Sequence, residues 1–369
     1  MDDQVVVKKT FGSRFKNSIS GVLVGLLLII IGIVMLACNE KNALKNKKDA
    51  IELRKNYVEV VSDQVDTENN GNLVVTSGKL VWSPTNATDK IFGVTYNTPV
   101  LERKVEIYEW VEESTETNDS TTYSYSKSWN NSIVNSNNFH KKEGHTNPTA
   151  MPYENDEVTA DTLTVGAYSL TSTFVGKLNA GEDLLDLSTA TVPEGYRVDG
   201  NYITNSADLS NPQVGDVRIS FKYGDYKDVT VMGKLNGSRI ESYKTKKGSS
   251  ITSMMHGILS GDEVITSIEN ANNAMKWIMR ILGTILIIIG LNALVGPITN
   301  LTSYVPILGS IFNGAVGLVM FILGLAISLV VIAISWFVVR PILSILLIAV
   351  VIGLVYLLKR FKKDTKQAK

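Results

Sequence analysis

The 369-residue chain has one cysteine, Cys38, and three histidines. A lone cysteine excludes an intrachain disulfide and a cysteine-based zinc site. Charge is missing from three stretches: residues 17–39, 281–339 and 341–358 contain no Asp, Glu, Lys or Arg. The middle stretch would reach about 88 Å as a single helix, far beyond the needs of a soluble core, so a wholly soluble protein is excluded. Neither sign of charge is in excess, at 36 basic and 36 acidic residues. A generally basic nucleic-acid binder is thereby excluded. Missing too are Gly-x-Ser-x-Gly, His-Glu-x-x-His, a phosphate-cradling glycine loop and a Rossmann fingerprint. The expectation is a protein that is not an enzyme, with no cofactor, no resident metal and no small-molecule substrate.

What is present is an uneven distribution of charge. Residues 50–274 hold 19 basic and 31 acidic groups, net −12, and the basic excess lies in the flanks of the apolar runs. Residues 21–38 form the first span, since 23 charge-free residues reach about 35 Å against a hydrocarbon core of about 30 Å. The run is longer than a signal-peptide core, and Met35-Leu36-Ala37-Cys38 fits a lipoprotein cleavage box poorly, which favours a retained anchor. Gly296-Pro297 offers the next break, so residues 278–296 make the second span. Residues 298–312 read as an interfacial amphipathic segment interrupted at Pro306, and 314–336 make the third span. Arg340 and Pro341 punctuate a tight membrane turn, because Arg is costly in hydrocarbon and the residue before Pro disfavours helix. A fourth span, 341–358, ends at a basic tail, 359–369, that would attract anionic lipid headgroups. The positive-inside rule puts segment 1–20 and the tail in the cytoplasm and residues 39–274 outside it.

The large loop reads as β-rich. Residues 105–111 and 121–126 alternate with period two, with a hairpin loop expected over 112–120. Further strands are expected near 72–82, 163–175, 214–221 and 229–235, and residues 130–148 are expected to be mainly loop. A capping box at Ser260 and Glu263 should open a helix leading into the second span, and another helix should continue the first span through Leu44, Ile51 and Val58. The fold class is thus an α+β membrane protein with four transmembrane helices, one N-terminal and three C-terminal, around a large β-rich extramembrane domain.

Several features could carry function. Gly21, Gly25 and Gly32 leave a smooth strip on the first span, and Ser310, Gly314, Gly317 and Gly324 do so near the third. Small residues permit close helix approach, within the chain or between copies of a homo-oligomer. Asn292 is a strong hydrogen-bonding group in an apolar run, expected to bond a neighbouring helix. His140, Glu143 and His145 could supply part of a metal site, but their spacing matches no zinc pattern, so His145 and Asn147 are expected to order a loop instead. Glu109 and Glu112 should lie on opposite strand faces, at a solvated edge.

One ordered set of motifs resembles a known family. Val105-Glu106-Ile107-Tyr108-Glu109-Trp110-Val111 is followed by Tyr123, Tyr125 and Trp129, then by Asn135, Phe139 and Gly144-His145-Thr146-Asn147-Pro148. Beyond these come Gly215, Asp216 and Arg218 within 214–221, then Gly290 and Asn292, and finally Trp336, Arg340 and Pro341. Together they resemble the transmembrane protein 43 (LUMA) family across nearly the whole chain. The resemblance implies four spans with one large lumenal or extracytoplasmic loop and no enzymatic activity. It also implies an organiser of membrane complexes that, in animals, is associated with the endoplasmic reticulum, the inner nuclear membrane, lamins and emerin. The expected function is a multi-pass scaffold that homo-oligomerises and binds other membrane proteins through the loop domain. Its membrane would be the endoplasmic reticulum or inner nuclear membrane in a eukaryote and the plasma membrane in a bacterium. The alternatives are a channel or transporter accessory subunit and an extracytoplasmic metal-dependent hydrolase.

Overall fold

A computed structural model describes residues 3–8, 11–117, 120–181, 184–188, 190–302 and 306–339. The chain divides into a β-rich unit, residues 1–8 and 49–267, and a helical unit, residues 9–48 and 268–369. Residues 49–267 of the β-rich unit lie within the expected extramembrane segment 39–274. The flanking stretches 39–48 and 268–274 are helical continuations of the apolar runs.

Three long helices carry the apolar sequence: α1 (Phe11–Asn56), α3 (Gly261–Thr302) and α4 (Pro306–Val339). Between α1 and α3 lies a one-turn helix, α2 (Ser172–Val175). Within the long helices, Ser20–Asn56, Gly261–Pro297 and Gly314–Phe337 are long and apolar enough to cross a membrane. The α+β membrane class holds with these three helices. The expected fourth span 341–358, the turn at Arg340 and Pro341, and the tail 359–369 lie outside the described residues.

Two helix boundaries differ from expectation. The helix does not break at Gly296-Pro297, since α3 runs on to Thr302, although the stretch apolar enough to cross a membrane does end at Pro297. In a hydrocarbon setting unpaired backbone has no water to bond, so the ladder survives the single N–H that proline removes. Within the segment expected to lie in the interface, residues 298–302 close α3 and 306–312 open α4; the interruption expected at Pro306 is present, with that proline at the first helical position, where its missing N–H costs nothing. At the other end of α3 the capping box forms as expected: the Glu263 N–H donates to Ser260 Oγ at 3.3 Å, and the Ser260 N–H donates to Glu263 Oε2 at 2.8 Å. The helix continuing α1 stops at Asn56, and Val58 belongs to the short strand Tyr57–Glu59.

The β-rich unit is built on two seven-stranded sheets, each with its own core. The first is organised by the hairpin Val100–Glu116 and Ser120–Asn130, paired antiparallel from Ile107↔Asn130 to Glu116↔Thr121. The strands run five residues past the expected loop start at Glu112, because alternation continues through the Thr- and Ser-rich stretch. Val217–Tyr223 pairs along the other edge of Val100–Glu116, and Leu101, Val105, Ile219 and Phe221 build the core beneath. The N-terminal strand Asp3–Lys8 pairs antiparallel with Ser120–Tyr125. The second sheet centres on Leu73–Ser83 and Asp228–Asn236, with Val74, Leu163, Tyr168, Phe174 and Val231 in its core. The expected 163–175 strand is broken at Gly166, whose φ of +56° and 1.9 Å clearance from Ser62 O to a would-be Cβ admit only glycine. The chain returns as Tyr168–Leu170 and then α2.

Candidate functional site

The motif residues of the loop domain converge on the hairpin. After Asn130 the chain turns back over Val100–Glu116, and a single 3-10 turn, Ser136–Asn138, is capped by Asn135 Oδ1 accepting from the Asn137 N–H. Asn147, 6% exposed, then uses its side-chain amide as an extra strand residue. Its Oδ1 accepts from the Trp110 N–H at 2.8 Å, and its Nδ2 donates to Trp110 O at 2.8 Å and to Val134 O at 3.0 Å. One carboxamide thus joins loop and strand through three backbone groups. Beside it, the buried His145 ring stacks on Tyr125 at 4.0 Å and meets the Trp110 ring edge-on at 4.5 Å. His145 Nδ1 lies 3.1 Å from Lys141 O; a carbonyl only accepts, so this nitrogen carries the proton. Phe139 closes the far side against Tyr125, and the left-handed Gly144, φ +79°, makes the turn between them. Lys127, opposite Trp110 in register, places Nζ 4.7 Å from the centre of that ring.

A second cluster sits on the neighbouring register. Arg218 lies over the Trp129 ring at 4.6 Å and the Tyr202 ring at 5.2 Å, while its Nε donates to Glu106 Oε2 at 2.7 Å. Burial pushes the Glu106 carboxyl up, but hydrogen bonds and charge from Arg218 and Lys104 outweigh it and leave the group below its ordinary value. Gly215 and Asp216 form the lead-in to this strand: the Gly215 N–H donates to Tyr108 O and the Tyr108 N–H to Asp216 O, both at 2.8 Å. Asp216 Oδ2 also accepts from Ser206 Oγ and the Gln213 N–H. The φ of +98° at Gly215 and the approach of Pro148 to it join the two motif segments.

Glu109 departs from expectation. It is fully buried rather than at a solvated edge, because it shares the core-facing side of the strand with Val105 and Ile107. Its Oε1 accepts from the Val134 N–H at 3.0 Å, and burial raises its pKa above the ordinary value. Glu112, on the opposite face, accepts from Tyr125 Oη at 2.6 Å. His140 and His145 do not converge: His140 stacks on Tyr123 at 4.3 Å, apart from the His145 contacts. Among the described residues, no group of three or more His, Cys, Asp or Glu side chains could hold a metal.

In the helical unit the glycine strip faces the same chain. A Cβ on Gly25 would lie 2.6 Å from Gly290 O, and one on Gly32 would lie 2.8 Å from Gly283 O. Gly324 of α4 is likewise filled by Ile288 of α3, with 2.5 Å to its Cγ1. Among the described residues, a Cβ on Gly317 would meet only Asn292 Oδ1, at 4.0 Å, and one on Gly21 or Gly314 would meet nothing within 4 Å; the side chain of Ser310 lies outside the described residues. Among the described residues, Asn292 bonds within its own helix. Its Nδ2 donates to Ile288 O one turn back, the nearest acceptor in an apolar helix.

Sequence reasoning missed Glu40, 4% exposed at the end of the first apolar run. It accepts from Arg280 Nε at 2.7 Å and from Trp336 Nε1 at 2.9 Å, tying α1, α3 and α4 together. The signal available was position: all three residues stand where a charge-free run begins or ends.

A profile of the family described as Transmembrane protein 43 matches residues 107–341. Transmembrane protein 43 of Mus musculus is 31% identical over 354 residues, covering 90% of this chain and 87% of its own. The Homo sapiens protein of that name is 29% identical over 360 residues, covering 91% of this chain and 89% of its own. The Drosophila melanogaster homolog is 29% identical over 291 residues, covering 74% and 76%. No solved structure matches. Trp110, His145, Asn147, Arg218 and helices α3 and α4 lie within residues 107–341, and the chain belongs to the transmembrane protein 43 family.

Proposed function

We propose that the protein is a non-enzymatic, multi-pass membrane scaffold that gathers partner membrane proteins on its loop domain and self-associates through its helices. The observation that carries this reading is the Asn147 clamp. The loop and hairpin form a rigid platform, and its recognisable side chains are spent on holding shape, as in a preorganised binding surface. For self-association the small residues with open space beside them, Gly21 and Gly314, are the candidates, since Gly25, Gly32 and Gly324 are occupied within the chain. Extraction into detergent-free native nanodiscs followed by mass photometry tests the reading. Particles above monomer mass that retain other membrane proteins are expected; strictly monomeric, partner-free particles would overturn it.

The same reading places the basic flanks in the cytoplasm and the loop domain on the other side, in the endoplasmic reticulum or nuclear envelope of a eukaryote or the plasma membrane of a bacterium. A bilayer crossed by α1 separates Asp3–Lys8 from Ser120–Tyr125, so that strand pairing and the crossing exclude one another within one chain. Magnitudes favour the crossing. Ordering the strand costs about 1–2 kcal/mol per residue, which offsets hydrogen bonds worth about 0.5–1.5 kcal/mol each. Leu23, Leu26, Leu27, Ile30 and Val34 are each at least 50% exposed. Moving such side chains into lipid contributes roughly 1 kcal/mol or more apiece, with no comparable cost.

A further inference from the structure

Between α1, α3 and α4 lies a cavity of about 320 Å³, lined among others by Glu40, Lys47, Asn272, Lys276, Arg280 and Trp336. Its depth follows from the sequence. The charge-free run of α1 ends at Glu40, that of α3 begins after Arg280, and Trp336 stands near the end of the α4 span. The cavity thus opens at the level of the lipid headgroups, where tryptophan is enriched and cations meet phosphate. Its volume is at the small end of the range for ligand pockets, about 300–1,000 Å³, the scale of a headgroup rather than a whole lipid.

The charges inside are only partly used. Each Glu40 oxygen accepts one bond, Oε1 from Arg280 Nε and Oε2 from Trp336 Nε1, and Glu269 adds a second carboxylate to the lining. Of the five N–H donors on a guanidinium, Arg280 commits only that on Nε, and its plane is steadied by the Trp277 ring 4.8 Å away. Among the described residues the Nη donors have no protein acceptor, although the side chain is only 16% exposed. Lys276 Nζ gives one of its three protons to Asn273 Oδ1 at 2.9 Å. Lys47 adds a further cation at the rim. A guanidinium fixed through Nε, with its two amino groups still to be paired and two lysines in the same lining, fits a tetrahedral phosphate whose oxygens accept several charge-assisted bonds at once.

We propose that this cavity binds the phosphodiester headgroup of a membrane phospholipid, with Arg280 Nη, Lys276 and Lys47 on the phosphate oxygens and the acyl chains running down the apolar faces of the helices. Headgroup occupancy would then brace the three helices at the end that bears the loop domain.

The test uses the full chain, delipidated in a phosphate-free maltoside detergent and titrated with dioctanoyl phosphatidylglycerol while bound lipid is counted by native mass spectrometry. One lipid should bind in preference to further copies, and dioctanoylglycerol, which has the same chains without phosphate, should not compete. K47Q/K276Q, which keeps the Glu40–Arg280 pair, should weaken that first site at least tenfold, whereas K47R/K276R should retain it. Equal competition by dioctanoylglycerol would overturn the proposal whatever the variants do, as would unchanged affinity in a folded K47Q/K276Q. Displacement of the lipid by millimolar inorganic phosphate would make free phosphate the ligand and overturn the lipid assignment.

Discussion

Gly25 of α1 and Gly290 of α3 leave no room for a methyl group on either side: a Cβ on each would come within 2.6 Å of the backbone oxygen of the other. The two helices therefore touch backbone to backbone, an approach that in lipid must be stabilised by packing rather than by withdrawal from water. Gly25→Ala gains about 1 kcal/mol of helix propensity but incurs overpacking of about 1–3 kcal/mol, and the obstructing atom is backbone, which cannot rotate aside. A net loss of up to about 2 kcal/mol is expected for Gly25→Ala and for Gly290→Ala, read as thermal unfolding in nanodiscs. Gly21→Ala, whose Cβ would meet no described atom of its own chain within 4 Å, should leave the unfolding of monomeric particles unchanged or shift it upward.

Asn147→Ala removes the acceptor for the Trp110 N–H and the donor for Trp110 O and Val134 O at a nearly buried position. Leaving buried backbone groups unpaired costs about 1–3 kcal/mol each, so a loss of about 2–4 kcal/mol is expected after partial relaxation. Asn147→Asp keeps the acceptor but sets a carboxylate oxygen against the Trp110 and Val134 carbonyls, and should be at least as destabilising as the alanine. Hydrogen exchange over residues 131–148 in the full chain is the measurement. Faster exchange confined to that loop and the adjoining strand is the expected pattern.

Much of this was legible in the residues. The absence of charge marked the spans, the alternation at 105–111 marked the central strand, and Ser260 with Glu263 marked the start of α3. What escaped was set by tertiary partners. Pro297 reads as a stop because local rules count its missing N–H; they do not count the lack of water as an alternative partner. Glu109 reads as surface because it is charged, yet strand parity places it beside Ile107, and only the loop folding back to Val134 seals it. Glu40 and Arg280 lie 240 residues apart, so no local pattern links them. The glycine strip was visible, but which helix would fill it was not.

Two carboxylates on one strand should give the domain opposing responses to pH. Glu106 is held below its ordinary value, so the stability it contributes is present above the unfolded pKa and is lost as pH falls through the folded one. Glu109 is raised, so its folded form holds a proton that the unfolded form has released, and stability falls as pH rises from the ordinary value of 4.5 through the folded pKa. Glu109→Gln should remove that second slope and increase the thermal midpoint at pH 8 relative to wild type, while leaving the acid-side loss unchanged. An unaltered slope above pH 4.5 in a folded Glu109→Gln variant would show that Glu109 is not the titrating group.

With α1 across the bilayer, an epitope placed before Asp3 should be reached from the cytoplasmic face, and one in the Glu116–Ser120 turn only from the other. Deleting residues 1–8 should then leave the loop domain's protease resistance unchanged, because the edge strand of the hairpin stands without that partner in the membrane-inserted chain. If both epitopes were protected together and exposed together, Asp3–Lys8 and Ser120–Tyr125 would share a side, and their pairing would hold in the membrane. The first apolar run would then have to enter and leave on one face, and a helix continuous from Phe11 to Asn56 has no turn at which to do so. Protease access to the two epitopes, before and after permeabilisation, separates these outcomes.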